Sequence, residues 1–256
     1  MLHLRPHAKI NLGLLIKGKR PDGYHLLETL LVPLPQLRDE LWLEPSDDGT
    51  CSILLEGIGL DGSPDDNLCV RAWKLLRERV PDLPGLRIRL LKGIPAGAGL
   101  GGGSSDAAHT LLGINERFGL GLTRAELALM AARLGADVPF FLYDTPMLAT
   151  GIGTDLEPWP LELPYRIEVA TPPIHSATAA AYRALDSRSC DPARSLREIL
   201  RAPVSQWPQQ LVNDLEQPVF GLYPELAALK ADFYARGACY AAMSGSGSAV
   251  FGLFGE

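Results

Sequence analysis

Residues 92–110 read Lys92-Gly93-Ile94-Pro95-Ala96-Gly97-Ala98-Gly99-Leu100-Gly101-Gly102-Gly103-Ser104-Ser105-Asp106-Ala107-Ala108-His109-Thr110, and six of these nineteen residues are glycine. A strand-like run, residues 86–91, leads in, and a helix-compatible run, residues 107–112, leads out. Glycine reaches positive φ freely and carries no Cβ to hold a ligand away from the backbone. The first amides of a following helix lack internal partners, and the helix dipole places about +0.5 charge there. Strand, glycine loop and helix together make an anion site, most simply one for nucleotide phosphates. The plain alternative is an ordinary loop with Ser104 as the helix N-cap. Glycine argues against it, because each glycine costs ~0.5–1 kcal/mol to order relative to alanine and a cap needs few of them.

Two familiar phosphate loops are excluded. No Gly-Lys-Ser/Thr occurs in the chain, so there is no Walker loop. Gly97, Gly99 and Gly102 satisfy G-x-G-x-x-G, but the dinucleotide fold also needs a second strand ending in an acid ~20 residues on. Glu116 stands at that distance inside a helical stretch.

With 256 residues and 46% hydrophobic content, the chain can bury a full core in one large or two small domains. No run approaches the ~20 apolar residues of a membrane span, and residues 1–13 lack the apolar core of a signal peptide. The expectation is a cytoplasmic protein with no membrane partner. Cys51, Cys69, Cys190 and Cys239 form no C-x-x-C pair and read as reduced core residues. No metal-ligand spacing is present, so no protein-borne metal site is expected. The net charge of −6 argues against nucleic-acid binding. An anionic ligand must therefore be met by local positive charge.

Residues 2–56 read as β, with strands over 3–5, 10–16, 24–33 and 40–44 and a polar turn at 17–23. Asp65-Asp66-Asn67 offers a cap for a helix through Val80, with Leu68, Ala72, Leu75 and Leu76 on one face. Thr123-x-x-Glu126 is a capping box ahead of Leu127, Met130, Ala131 and Leu134, and Gly135 stops that helix. Prolines 146, 158, 160 and 164 mark a domain joint, giving domains at 1–155 and 156–256. The second half reads as a strand at 165–170 and helices at 176–186, 195–202, 208–217 and 224–236. Pro224 suits a first helical position and Gly237 a C′ position. Strand, small-residue loop and strand close the chain over 239–254.

Several residues carry two readings. Lys9, between Ala8 and Ile10, is either a solvent-facing strand lysine or a reactive group. Asp137, two residues before Pro139, is an N-cap, a catalytic carboxylate, or both. A Lys–Asp pair beside a phosphate loop satisfies both residues, since a buried unpaired carboxylate costs several kcal/mol. Tyr24 and His25 point to opposite faces if they lie in a strand, one inward and one outward. Gly245-Ser246-Gly247 is a hairpin turn or a second backbone segment approaching the same phosphates.

Three segments in order resemble the motifs of the GHMP kinases, small-molecule kinases named for galactose, homoserine, mevalonate and phosphomevalonate. They are Ala8-Lys9-Ile10-Asn11-Leu12-Gly13, the glycine loop, and Met243-Ser244-Gly245-Ser246-Gly247-Ser248-Ala249. Residues 20–25, 102–108 and 135–141 are similar to the branch acting on a cytidine-diphosphate-linked methylerythritol in non-mevalonate isoprenoid synthesis. The resemblance implies an α+β fold, with an N-terminal domain like ribosomal protein S5 domain 2 and a ferredoxin-like C-terminal domain. It implies a small-molecule acceptor, ATP as donor accompanied by Mg2+, and a monomer or weak homodimer. Lys9 and Asp137 would be the catalytic pair. Pro95, Ala96, Gly97, Ala98, Gly99, Leu100, Gly101, Gly102, Gly103, Ser104 and Ser105 would cradle ATP, with Lys92 and Asn67 near its adenine end. Asn11, Tyr24, His25, Ile152 and Tyr182 would bind the acceptor, the rings reading cytosine. The rivals are a GHMP kinase with a mevalonate- or sugar-type acceptor, and a nucleotide-binding regulator without catalysis.

Overall fold

The computed structural model describes residues 1–58, 63–174, 176–185 and 191–255. Among them the chain runs β1 (Leu2–Leu4), β2 (His7–Lys19), β3 (His25–Arg38), β4 (Glu40–Ser46), β5 (Cys51–Gly57), α1 (Leu68–Arg79), β6 (Gly85–Lys92), α2 (Gly102–Arg117) and α3 (Arg124–Leu134). It continues through β7 (Met147–Thr150), β8 (Asp155–Pro158), β9 (Arg166–Ala170), α4 (Thr178–Ala184), α5 (Leu196–Arg201), α6 (Trp207–Gln210), α7 (Glu216–Leu222), α8 (Pro224–Ala235), β10 (Tyr240–Met243) and β11 (Val250–Phe254). This is the mixed α+β class that the sequence predicts. No helix among the described residues is long and apolar enough to cross a membrane.

Two compact units emerge, and the chain passes between them more than once. The first comprises Met1–Lys9, Pro33–Ala96 and Gly101–Asp144; the second comprises Ile10–Val32, Gly97–Leu100 and Thr145–Glu256. In the first unit a sheet of order β1-β4-β6-β5 has antiparallel pairs except for parallel β5 and β6. Its inner face carries Leu41, Leu43, Leu86, Ile88 and Leu90, all buried. The helices α1 and α2 pack on it with Ala72, Leu75, Leu76, Ala107, Leu111 and Ile114 turned inward. Asn67 caps α1 by accepting the N–H of Cys69 at 2.9 Å. Thr123 and Glu126 close the capping box on α3 reciprocally.

In the second unit β9, β10 and β11 form a sheet of order β10-β11-β9, antiparallel throughout. Leu14, Ile16, Leu215, Val219, Leu226, Phe233, Met243 and Val250 share its core. Pro224 opens α8, and Gly237 follows it at φ +92°, the left-handed position expected of a C′ glycine. The remaining sheet has the order β2-β3-β7-β8.

Several local expectations are corrected. The helix expected at 208–217 is two helices, α6 and α7. Between them Leu14 N–H donates to Val212 O at 2.9 Å and Asp214 N–H donates to Leu14 O at 2.8 Å. Those bonds to β2 take the backbone groups that a continuous helix would have used. The strand β2 runs on to Lys19, so the turn is confined to 20–23, and β3 continues past Pro33 to Arg38. Proline's fixed φ suits extended backbone and removes only its N–H. The helix expected at 176–186 is Thr178–Ala184, and residue 186 lies outside the described residues. Gly135 ends α3 at φ 170°, which is extended backbone rather than a left-handed cap. Cys69 is buried, but Cys51 is half-buried and Cys239 exposed. Cys239 lies between inward-facing Ala238 and Tyr240, so alternation turns it out. Cys190 lies outside the described residues.

Gly113 sets how closely α2 approaches the first sheet. A Cβ there would stand 2.6 Å from Leu43 Cδ1 and 2.7 Å from Leu4 Cδ1. Gly113→Leu is expected to destabilise the protein by about 1–3 kcal/mol through overpacking. Urea unfolding followed by circular dichroism measures this, and an unchanged midpoint would show that α2 does not seat here as described.

Candidate active site

The ten residues from His7 to Ile16 are all buried, and most are apolar. His7, Lys9 and Asn11 are the polar residues of that run, and Lys9 and Asn11 are 3% and 4% exposed. An ammonium in such surroundings needs an anion. In the first unit Lys9 Nζ lies 3.3 Å from Asp137 Oδ2. The solvent-facing reading of Lys9 is thereby overturned.

Asp137 precedes a 3-10 turn, Val138–Leu142, whose five residues are all buried. The turn fixes the backbone, yet the Asp137 side chain is 39% exposed and makes no capping bond to it. The cap reading fails on that geometry. What remains is a carboxylate held by one buried lysine and open on its other side. Such a group can accept the proton of a hydroxyl.

The glycine loop supplies positive φ where its path requires it, with Gly97 at +68°, Gly99 at +76° and Gly101 at +72°. Gly101 is the N-cap of α2 and has no side chain to cap with. The helix starts at Gly102, ahead of the helix-compatible run 107–112, and Ser104 lies inside its first turn rather than at the cap. No side-chain acceptor at the cap competes for the first-turn amides, which a bound anion can therefore use. A Cβ on Gly101 would lie 2.7 Å from Phe141 Cζ and 3.1 Å from Lys9 Cγ. The loop thus passes directly over the lysine only because residue 101 has no side chain. These features fit a phosphate group.

The middle of the loop belongs to the second unit, where the late small-residue segment holds it. Ala249 N–H donates to Ala98 O at 3.0 Å, and Ser244 Oγ donates to Gly99 O at 2.8 Å. Ser244 Oγ also accepts the N–H of Asn11 at 3.2 Å. Asn11 Nδ2 donates to Thr29 Oγ1 at 3.0 Å, and that hydroxyl donates to Gly13 O at 2.6 Å. The residue 244–249 connection is therefore both the β10–β11 turn and a second backbone segment against the glycine loop. It is braced from behind. Asn213 Nδ2 donates to Met243 O at 2.9 Å and Gly245 O at 2.8 Å, while Glu216 Oε1 accepts Met243 N–H at 2.8 Å.

Also in the second unit, the rings of His25 and Tyr182 stack at 5.0 Å with 28° between their planes. Burial, reinforced by the charge of Lys19, holds the His25 imidazole below its ordinary range. It is neutral at pH 7, with one ring nitrogen donating and one accepting. Tyr24 is 62% exposed and outside β3, so the expected division into one inward and one outward residue is corrected. Tyr24 sits just before β3, at the end of the β2–β3 turn, where no strand alternation is imposed on it. Ile152 sits in the β7–β8 turn, which is tied to β3 because Gly151 O accepts Leu27 N–H at 2.8 Å.

Two residues expected near a nucleotide have partners within the protein. Asn67 is engaged as the α1 cap, and Lys92, 5% exposed, donates to Asp39 and to Asp106. Sequence reading missed Ser244, Asn213 and Glu216, which brace the glycine loop, and Asp39 and Asp106, which pair with Lys92. The polar run Asn213-Asp214-Leu215-Glu216 inside an expected helix was the available signal for two of them. Asp39, a single acid between two strands, offered none.

Family comparisons agree with this arrangement. Residues 67–145 match the GHMP kinases N terminal domain and residues 193–256 the GHMP kinases C terminal domain. A 4-diphosphocytidyl-2-C-methyl-D-erythritol kinase of Parabacteroides distasonis is 46% identical, over 97% of this chain and 90% of that protein. One of Bacteroides thetaiotaomicron is 44% identical over 97% and 90%. A crystal structure of 4-(cytidine 5'-diphospho)-2C-methyl-D-erythritol kinase aligns with a TM-score of 0.84 and 38% identity, covering 98% of this chain and 90% of that one. Homoserine kinase from Cytophaga hutchinsonii, 18% identical with a TM-score of 0.72 over 98% and 84%, shares the fold. With both domain models matched in order and relatives this similar over nearly its whole length, the chain belongs to the GHMP kinase family.

Proposed function

We propose that this protein phosphorylates the 2-hydroxyl of 4-diphosphocytidyl-2-C-methyl-D-erythritol with ATP, a step of non-mevalonate isoprenoid synthesis. The observation that carries the chemistry is the buried Lys9 beside the accessible Asp137 carboxylate, with Gly101 of the glycine loop against the lysine. The substrate reading draws on the kinases of that name that this chain resembles. We take residues 1–155 as the N-terminal domain and 156–256 as the C-terminal domain of that enzyme.

Asp137 accepts the hydroxyl proton as the acceptor oxygen bonds to the terminal phosphorus of ATP. The bond from that phosphorus to its bridging oxygen breaks, and ADP leaves. Lys9 keeps Asp137 ionised and adds positive charge beside the transferring group. Residues 95–105 hold the phosphates through backbone amides, chiefly at the uncapped start of α2. Mg2+ offsets phosphate charge when it is bound. Among the described residues no cluster of three His, Cys, Asp or Glu side chains stands ready to hold a metal ion.

On the acceptor side, Tyr24 and Tyr182 offer ring faces to cytosine and His25 offers edge hydrogen bonds. Asn11 and the backbone at Ile152 hold the remainder of the acceptor. Flat aromatic surface plus a neutral donor–acceptor edge is what a neutral pyrimidine requires, and a mevalonate-type acceptor would use neither.

Asp137→Asn is expected to lower kcat by ~10²–10⁴ while ATP affinity is retained. Near-normal turnover would remove Asp137 from the chemistry. His25→Ala and Tyr182→Ala should each raise the acceptor KM at least about tenfold, the worth of one base–ring contact, and leave the ATP KM nearly unchanged. Unchanged acceptor KM in both, or efficient use of an acceptor without its cytidyl group, would point to a different GHMP substrate. Gly101→Val should impair ATP binding and turnover together, because the new side chain meets both the phosphate path and Lys9. Calorimetry with ATP and single-turnover assays separate the two effects.

A further inference from the structure

Three charged groups are buried together in the first unit. Asp39, between β3 and β4, is 0% exposed, Lys92 at the end of β6 is 5% exposed, and Asp106 in α2 is 2% exposed. Lys92 Nζ donates to Asp39 and, at 2.6 Å, to Asp106 Oδ2. The cluster lies directly behind the start of α2, since a Cβ on Gly102 would stand 3.3 Å from Lys92 Nζ.

The two carboxyl groups are not equivalent. Besides the ammonium, Asp39 accepts the N–H groups of Gly93 and Ile94 at 2.6 and 2.8 Å, which favours its ionised form. Asp106 has the ammonium and the neighbouring Asp39 carboxyl but no such backbone N–H, and its Oδ1 is buried with no hydrogen-bond partner among the described residues. Two ionised acids around one ammonium would leave a net negative charge in the interior, which low dielectric strongly disfavours. The other titratable group facing Asp106 is Cys69 of α1, whose thiol burial keeps protonated; Thr110 of α2 donates to the Asp106 backbone carbonyl instead.

We propose that Asp106 carries a proton at neutral pH, so that the Asp39–Lys92–Asp106 cluster is neutral behind the phosphate-binding turn, and that losing this proton weakens ATP binding. Asp106 acts here as a positioning residue, through the field at the start of α2, and touches no substrate. The inference rests on reading residues 95–105 as the ATP site. Burial is the main cause of the proton's retention, with Lys92 opposing and Asp39 reinforcing it, and the carboxyl is pushed up to about 8. Below that pH the cluster is neutral; above it the cluster gains one negative charge. Lys92 then serves to neutralise acids rather than to reach the nucleotide.

The test uses the full chain, wild type and Asp106→Asn, between pH 7.5 and 9.5. Over this range the ligand's charge is constant, because a terminal phosphate loses its last proton near about 6. Calorimetric Kd for ATP should rise about tenfold in the wild type and stay flat in Asp106→Asn, whose affinity at pH 7.5 should match wild type within about twofold. A 13C carboxyl resonance titrating near about 8 should be present in the wild type and missing from the variant. A flat wild-type Kd, an equal rise in both proteins, or the absence of any carboxyl titrating above pH 6.5 overturns the proposal. Should Asp106→Asn fail to fold, the wild-type Kd and carboxyl titration decide alone. If ATP binds at no pH, the nucleotide reading and the affinity half of this proposal fall together. The carboxyl titration still decides where the proton resides.

Discussion

A lysine ammonium buried in an apolar strand must be neutralised or paired, and that constraint governs the surroundings of Lys9. Its partner, Asp137, comes from a distant part of the sequence and is delivered by the buried turn Val138–Leu142. The five residues of that turn are all buried. Their burial fixes the backbone that aims the Asp137 carboxylate at the Lys9 ammonium. Phe141 serves this turn and also meets the glycine loop at Gly101, which ties loop and carboxylate to one packed surface.

A second constraint is backbone proximity. Gly99 lies so close to the carbonyl of Ser244 that no Cβ fits between them. The Ser244 hydroxyl then uses both of its capacities, donating to Gly99 O and accepting from the N–H of Asn11. One buried hydroxyl thus links the loop assigned to ATP with the strand carrying a residue assigned to the acceptor. Asn213 and Glu216 satisfy the backbone groups flanking it, so the connection is rigid without any regular secondary structure.

What the sequence made legible was local. The caps at Asn67 and Thr123, the Pro224 and Gly237 pair around α8, and the strand before the glycine loop all follow from short-range chemistry, and the structure has them. The candidate Lys9–Asp137 pair was legible because both residues stand in apolar runs that would not tolerate an unpaired charge. The failures have one physical character: a distant partner overruled a local preference. Leu14 broke the helix expected at 208–217 by taking the backbone bonds of Val212 and Asp214. The helix α2 starts at Gly102, where the cost of helical glycine is met by close approach to Ile94 and Lys92. Lys92 pairs with Asp39, fifty-three residues away, which nothing in the local sequence marks as its partner.

The same partners explain how an acidic protein of net charge −6 can hold a polyphosphate. Long-range attraction is unfavourable for such a ligand, so affinity must come from groups that act at contact distance. Backbone amides meet that need. They carry partial positive charge, they cannot be neutralised by surface acids, and at the start of α2 no side chain at the cap competes for them. A fixed dipole is weak beside a full charge, however, and a net negative cluster a few ångströms behind it would cancel much of its field. Lys92 is therefore worth more when balancing Asp39 and Asp106 than it would be as one further phosphate ligand. The buried cations of this unit each answer a specific acid, Lys9 to Asp137 and Lys92 to the pair behind the helix. On the proposed reading, phosphate contact falls chiefly to the backbone amides of the loop, with Lys9 adding charge beside the transferring group, and the glycines permit that geometry.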